Sequence, residues 1–350
     1  MPVSRIVLPA VLLGLLVLPA SGASFDCSKA STPFEHAICD MPELSASDEL
    51  LAKAFATAIG GLTKESVNLM RADQRNWLDY AQRACTDDAQ LLDGTSVYGD
   101  TGASCLIEKF TARIGVLEQS RMHDGHRFLI QSIYAALPDP NEADNPDSYW
   151  KVASHELVMP LLDADDALAE PFDRFVTDMA ANQSDIMSLA DGDDSGDIDP
   201  SSDTSVRMAV KELAGTSRIT LEATTYWYGH GAAHGNWGIT YQHYLTEQDR
   251  GLIADDLFAG EDWATTLVEA AWAQLQLEHK EWLQVETAGD IAEIVVEPTR
   301  WDFSNRYGLT IQFQPYEVAA YAYGAPTITI GWDKLESIMA ETQDMVRFGN

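Results

Sequence analysis

The chain has 350 residues, 55 acidic and 22 basic side chains, and a formal charge of −33. That balance argues against nucleic acid and anionic lipid as partners and favours basic proteins and divalent cations. A hydrophobic fraction of 46% with 9% aromatics excludes a disordered chain and is enough for two ordinary domains.

Arg5 is the only charge ahead of an apolar run over 6–18, which leads into Pro19-Ala20-Ser21-Gly22-Ala23. Small residues at the −3 and −1 positions fit cleavage after Ala23, so 1–23 read as a signal peptide. The run is too short for a comfortable membrane span. No later stretch offers one, and the mature chain is expected to be periplasmic or secreted. Loss of Arg5 takes the charge from −33 to −34.

Cys27, Cys39, Cys85 and Cys105 all lie in the first third of the chain. An even count in an exported protein reads as disulfides, with three pairings possible. Cys27–Cys39 and Cys85–Cys105 are favoured because each closes a short local loop. Zinc is the alternative, but there is no C-x-x-C pair.

Residues 24–120 read as a small helical domain. Thr32-Pro33-Phe34-Glu35 is a capping box with proline at the first helical position, predicting a helix to about Cys39. A second helix starts near Ser47 and carries Leu51, Phe55, Ala58, Ile59 and Leu62 on one face. Thr63 caps a third, striped with Val67, Met70, Gln74, Trp77, Leu78 and Ala81. Residues 86–104 read as a loop, and a last helix presents Leu106, Phe110, Ile114 and Leu117. Leu137-Pro138-Asp139-Pro140-Asn141 and Asn145-Pro146-Asp147 are turn signals, so 121–148 read as a linker. His123 and His126 read as linker histidines rather than metal ligands.

From 149 to 345 the period changes. Strands are expected over 150–162, 237–245, 309–313 and 327–332, with a hairpin over 205–213 and 217–228. Helices are expected over 164–190 and 264–283. Strands and helices do not alternate strictly, which predicts an α+β domain with an antiparallel sheet covered by helices.

Three stretches are candidates for chemistry or recognition. Asp191-Gly192-Asp193-Asp194-Ser195-Gly196-Asp197-Ile198-Asp199 has the spacing of a calcium loop, with Asp191, Asp193, Ser195, Asp197 and Asp199 as candidate ligands. Ser202 stands where the loop's final bidentate Glu belongs, so any calcium binding is expected to be weak, and no cofactor is required. An acidic insertion explains the same composition. The second stretch, over 226–235, holds Tyr226, Tyr228, His230 and His234 among glycines. It has no H-E-x-x-H pattern, so it reads as a tight, aromatic-flanked connection rather than a zinc site. The third stretch, over 313–324, clusters Tyr316, Tyr321 and Tyr323 after a strand, which suits a recognition surface or a packed loop. There is no G-x-S-x-G elbow, phosphate-binding glycine loop or spare cysteine nucleophile, so no catalytic residue is assigned and the chain reads as a non-enzyme.

Two resemblances add to this reading. Phe25-Asp26-Cys27, Glu35 with Ile38-Cys39, Gln74-Arg75-x-Trp77-Leu78, Arg83-x-Cys85 and Cys105-Leu106 with Arg113 resemble the LprI-type lysozyme-inhibitor family over about 25–118. The resemblance implies a small exported helical fold and, from its named member, lysozyme inhibition. Tyr228-Gly-His-Gly-Ala-Ala-His234-Gly, the strand at 237–245, Leu252-Ile-Ala-Asp-Asp-Leu-Phe258 and Phe313-Gln-Pro-Tyr316-Glu317 are similar to the RsiV-type C-terminal domain of unknown function, over about 150–336. In RsiV that domain is a lysozyme receptor. The expected function is therefore an envelope protein that binds lysozyme or another basic cell-wall hydrolase, with inhibition left open by the sequence. A non-inhibitory module for peptidoglycan or an envelope protein is one alternative. A metal-dependent enzyme using His230 and His234 is the other.

Overall fold

The structure is a computed structural model describing residues 22–142, 144–164, 167–191 and 198–349. The expected signal segment lies almost wholly outside the described residues. Among those described, no helix is long and apolar enough to cross a membrane.

Four helices open the fold: α1 (Pro33–Asp40), α2 (Pro42–Ala58), α3 (Lys64–Ala84) and α4 (Asp100–Leu117). The Thr32/Glu35 capping box forms with both reciprocal bonds, and Pro33 takes the first turn of α1. Helix α2 begins at Pro42 rather than near Ser47, because Pro42 serves as its first-turn residue. The expected loop at 86–104 is shorter than drawn, since α4 begins at Asp100. Leu44, Leu51, Met70, Trp77, Leu106 and Phe110 form the buried centre. Disulfides Cys27–Cys39 and Cys85–Cys105 join the chain start to α1 and the end of α3 to α4.

The stretch expected as a linker is instead the start of the main sheet. β1 (Met122–His123) and β2 (His126–Pro138) form a hairpin turned by Asp124 and Gly125, both at positive φ. His123 and His126 are register partners flanking that turn. An Asp-Gly pair with both residues left-handed matches the twist of the flanking strands, which is why it makes a tight hairpin. In the connection from β2 to β3, the described residues 139–142 and 144–151 lie outside helix and strand.

The sheet continues with β3 (Val152–Leu162), β4 (Ser202–Ala214), β5 (Arg218–Gly229), β6 (Asn236–Leu245) and β7 (Arg250–Gly251), seven strands in chain order. All neighbours are antiparallel except β3 and β4, which run parallel, so the sheet is mixed. Helix α5 (Ala169–Gln183) makes the β3–β4 crossover, as a parallel pair requires. The helix expected over 164–190 breaks at Ser184, which turns extended and is followed by a 3-10 segment.

One sheet face buries Leu157, Val206, Met208, Leu221 and Ala223 under Phe172 and Val176 of α5. The opposite face is shared. The helical bundle covers β2 and β3, where Ile130 and Val158 join the bundle's own core. Over β5 and β6 lies a C-terminal layer of α6 (Trp263–Glu278), α7 (Ala292–Val295), α8 (Trp332–Leu335) and α9 (Gln343–Phe348). With them is a three-stranded sheet of β8 (Trp301–Asp302), β9 (Gly308–Gln312) and β10 (Thr327–Gly331). Its core includes Phe258, Leu267, Trp301, Ile311, Phe313 and Ile330. The architecture is thus a disulfide-bonded helical domain followed by an α+β domain, joined where Leu129, Ile130, Val158 and Leu161 of the sheet enter the bundle's core.

Polar bonds fasten that junction. Arg113 is buried in α4 and donates to Asp73 and to Gln74 (3.0 Å) on α3, and to Ser132 (3.1 Å) and Tyr134 (3.0 Å) on β2. Glu156 of β3 accepts from Tyr80 (2.9 Å), Lys109 (3.1 Å) and Arg207 (2.6 Å). Asp163, at the end of β3, accepts from Thr63 and Ser66 at the start of α3 and so caps that helix from outside.

Candidate functional site

The hairpin joining β5 to β6 carries the second candidate stretch, and the loop after β9 carries the third. Gln314 brings them together. Its amide accepts from Ile239 N–H at 2.7 Å and donates to the Ile239 carbonyl, pairing with the free edge of β6 as a strand residue would. Glu317 fixes the loop in turn. It accepts from the Gln314 N–H at 2.6 Å and takes a bidentate pair from Arg300 at 2.7 and 3.1 Å.

On this frame four of the predicted residues meet. The His234 ring stacks on Tyr321 with centroids 4.1 Å apart, and Tyr316 lies 5.2 Å from Tyr321. His234 Nδ1 donates to the Gly235 carbonyl at 2.9 Å, which leaves Nε2 to accept from the Tyr316 hydroxyl at 3.1 Å. The same carbonyl accepts from the Tyr321 hydroxyl at 2.7 Å. Gly235 lets the Tyr226 ring lie close: a Cβ there would stand 2.7 Å from it and displace it. Tyr226 is 42% exposed and Tyr316 is 56% exposed. Partial burial, followed by the nearby Asp203 charge, lifts the Tyr226 phenol above its usual range, so it stays neutral and able to donate. The result is an aromatic platform fixed by its own hydroxyl bonds, suited to binding a protein surface.

The other three predicted residues go elsewhere. His230 is not available to a partner: its side chain is 3% exposed, with Nδ1 on Asp139 at 2.6 Å. Asp139 also accepts from Asn141 and Ser201. Burial would raise the Asp139 carboxyl, but these bonds, led by His230, hold it below the ordinary range. This pair locks the β2–β3 connection to the β5–β6 hairpin. Tyr228 is half-buried against Trp150 and donates to the Ala232 carbonyl at 3.1 Å. Tyr323 belongs to a separate group, bonded to His279 at 2.7 Å and stacked on Trp282 at 5.3 Å.

The histidine pair does not converge as zinc ligands would, since His230 and His234 are committed to different partners. Among the described residues no group of three or more His, Cys, Asp or Glu could hold a metal. Asp193, Ser195 and Asp197 of the candidate calcium loop lie outside the described residues, as does the Asp191 side chain. Asp199 accepts from the Ser201 N–H at 3.0 Å.

Sequence reasoning passed over Trp227, which is 49% exposed. Strand alternation places it on the opposite face from Tyr226 and Tyr228, a signal present in the Tyr-Trp-Tyr run. Arg300 and Asp139 carried no such signal. Their partners are distant in sequence.

Comparison with known proteins bears on both parts of the chain. Residues 27–117 match the family model described as lysozyme inhibitor LprI. Residues 255–333 match that of a protein of unknown function, DUF3298, a shorter span than the expected 150–336. Among solved structures the chain is similar to a DUF3298 family member from Bacteroides fragilis NCTC 9343. That match has 15% identity, covers 64% of this chain and 96% of that one, and has a TM-score of 0.43. It is similar also to a DUF3298 family protein from Pseudomonas aeruginosa PAO1, with 17% identity, 61% and 95% coverage, and a TM-score of 0.41. No curated protein matches the chain. The chain therefore joins an LprI-type stretch at 27–117 to a DUF3298 stretch at 255–333.

Proposed function

We propose that this is an exported, non-catalytic envelope protein that binds a basic lysozyme or related cell-wall hydrolase and inhibits it. The geometry that supports the reading is the platform of Tyr226, His234, Tyr316 and Tyr321, exposed yet held rigid by Gln314 and Glu317. Rigid aromatics give contact area at low entropic cost. The match of 27–117 to a lysozyme-inhibitor model supplies the class of partner, and neither matched description is of an enzyme. A charge of −33 favours encounter with a basic protein.

Surface plasmon resonance of the mature chain against a basic animal lysozyme tests this. Binding is expected at low salt, and Tyr316→Ala or Tyr321→Ala should weaken it about 30-fold, equivalent to about 2 kcal/mol. A comparably acidic unrelated protein that binds equally well, or a mature chain that does not bind, overturns the reading. Wall lysis with and without the protein then reads inhibition directly.

A further inference from the structure

A second concavity borders the platform, sharing Tyr226 and Gln314 with it, and extends over the face of the sheet that α5 covers. Helix α5 has 15 residues, about 22 Å of helix, whereas β5 has 12 residues, about 40 Å of strand. Helix α5 ends at Ser184, and the far ends of β4, β5 and β6 extend beyond it. The cleft formed there has a volume of about 580 Å³, within the range of small-ligand sites. Register places Thr225 opposite Gly238, Trp227 opposite Asn236, and Thr204 opposite Trp227, all on this face.

We propose that this cleft binds a neutral saccharide. Among the described residues its lining contains no Lys or Arg, and Asp185 and Asp199 are its only carboxylates. Phosphate- or carboxylate-bearing ligands therefore find no counter-charge in it. What the lining offers instead is hydroxyls and amides, from Thr204, Thr225, Gln183 and Asn236, beside one exposed indole. The Trp227 ring lies along its own strand over Gly229, where a Cβ would come within 2.9 Å of it. An exposed indole packed against its own strand offers a surface for the apolar face of a pyranose ring, with amides and hydroxyls beside it for the ring's hydroxyl edge. Two polar atoms in the wall, Gln183 Oε1 and His155 Nε2, are buried without a hydrogen-bond partner among the described residues. His155 itself is 1% exposed and held by its Nδ1 on Thr204 at 2.8 Å. Unpartnered buried polar atoms are uncommon, and these two border a cleft that a hydroxyl-rich ligand can enter.

The test uses the mature chain with no hydrolase present, so it stands apart from the lysozyme reading. Calorimetry and tryptophan fluorescence are followed with a tetramer of N-acetylglucosamine, with cellotetraose, and with a tri-lysine peptide. Saturable binding of a saccharide is expected with Kd of about 1 mM or tighter, together with a change in tryptophan emission. Preference for the acetylated tetramer identifies an amino-sugar glycan, and equal binding identifies recognition of the glucan ring itself. Trp227→Ala should weaken binding at least ~10-fold, with Trp227→Tyr retaining most of it. Asn236→Ala, at an exposed position, gives a second loss should Trp227→Ala misfold. Absence of saccharide binding, binding indifferent to both Ala variants, or binding of the peptide alone overturns the proposal.

Discussion

Tyr316 has a backbone φ of +73°, in the left-handed region that side chains rarely adopt. A bulky residue there costs about 1–2 kcal/mol, and it is retained on the surface, where its ring contributes little to the core. The strained backbone presents the phenol to His234 and to solvent. Tyr316→Gly should therefore leave the urea midpoint equal or higher, while lysozyme binding falls as in Tyr316→Ala. A drop in stability of more than about 1 kcal/mol would show that the ring holds the loop rather than serving a partner. His243 is the residue to watch in acid. Burial, then the nearby Arg218, pushes its imidazole down to about 3. Burial pushes His155 down as well. Between pH 6.5 and about 3 the unfolded chain takes up protons that the folded chain refuses, so stability falls as pH drops through that window. Burial of Asp173 raises its carboxyl to about 6 and acts in the opposite sense between pH 6 and 3.8. His243→Gln should flatten the acid slope of urea midpoints measured from pH 7 to 4. An unchanged slope would assign it to other groups.

At the scale of elements, the bundle and the sheet are joined through Arg113. Four side chains from α3 and β2 converge on its guanidinium, and Asp73 is buried with it. Arg113→Ala should cost about 3–5 kcal/mol, because it leaves the Asp73 carboxylate buried without its counter-charge. Asp73→Asn combined with Arg113→Met should recover part of that loss, which thermal denaturation of the single and double variants will show. A loss under about 1 kcal/mol in Arg113→Ala would mean that the apolar contacts of Ile130 and Val158 suffice at the junction. Element legibility followed local chemistry. The Thr32 and Thr63 caps, the β4–β5 hairpin and the alternation in β6 were readable because each is set by neighbours in sequence. The β1–β2 hairpin carried its signal, Asp124-Gly125, but the proline-rich stretch that follows made the region read as a linker. The break of α5 at Ser184 has no breaker residue to announce it. The parallel β3–β4 pairing is a choice of topology that periodicity does not encode.

At the scale of the whole molecule, charge is the governing quantity. If negative charge steers encounter with a basic hydrolase, the association rate should fall about tenfold or more between 0.1 and 1 M salt, as the Debye length shrinks from about 10 to 3 Å. The dissociation rate should change less, since it reports close contacts at the tyrosine platform. Both rates come from one salt series by surface plasmon resonance. A dissociation rate that carries most of the salt dependence would place ion pairs, rather than aromatics, at the contact.

By itself the sequence pointed to the helical and α+β parts and most strand positions, and favoured the two disulfide pairings among three, because these depend on spacing along the chain. It also marked out the aromatic stretches, since Tyr and His are visible wherever they sit. Which of those residues act together was decided by tertiary structure. Tyr226, His234, Tyr316 and Tyr321 meet only because Gln314 docks on the edge of β6. His230 is withdrawn from the surface because Asp139, far away in sequence, lies folded beneath it. The cleft at Trp227 lies where α5 ends short of the strands it covers, a mismatch of lengths that appears only once helix and sheet are packed together.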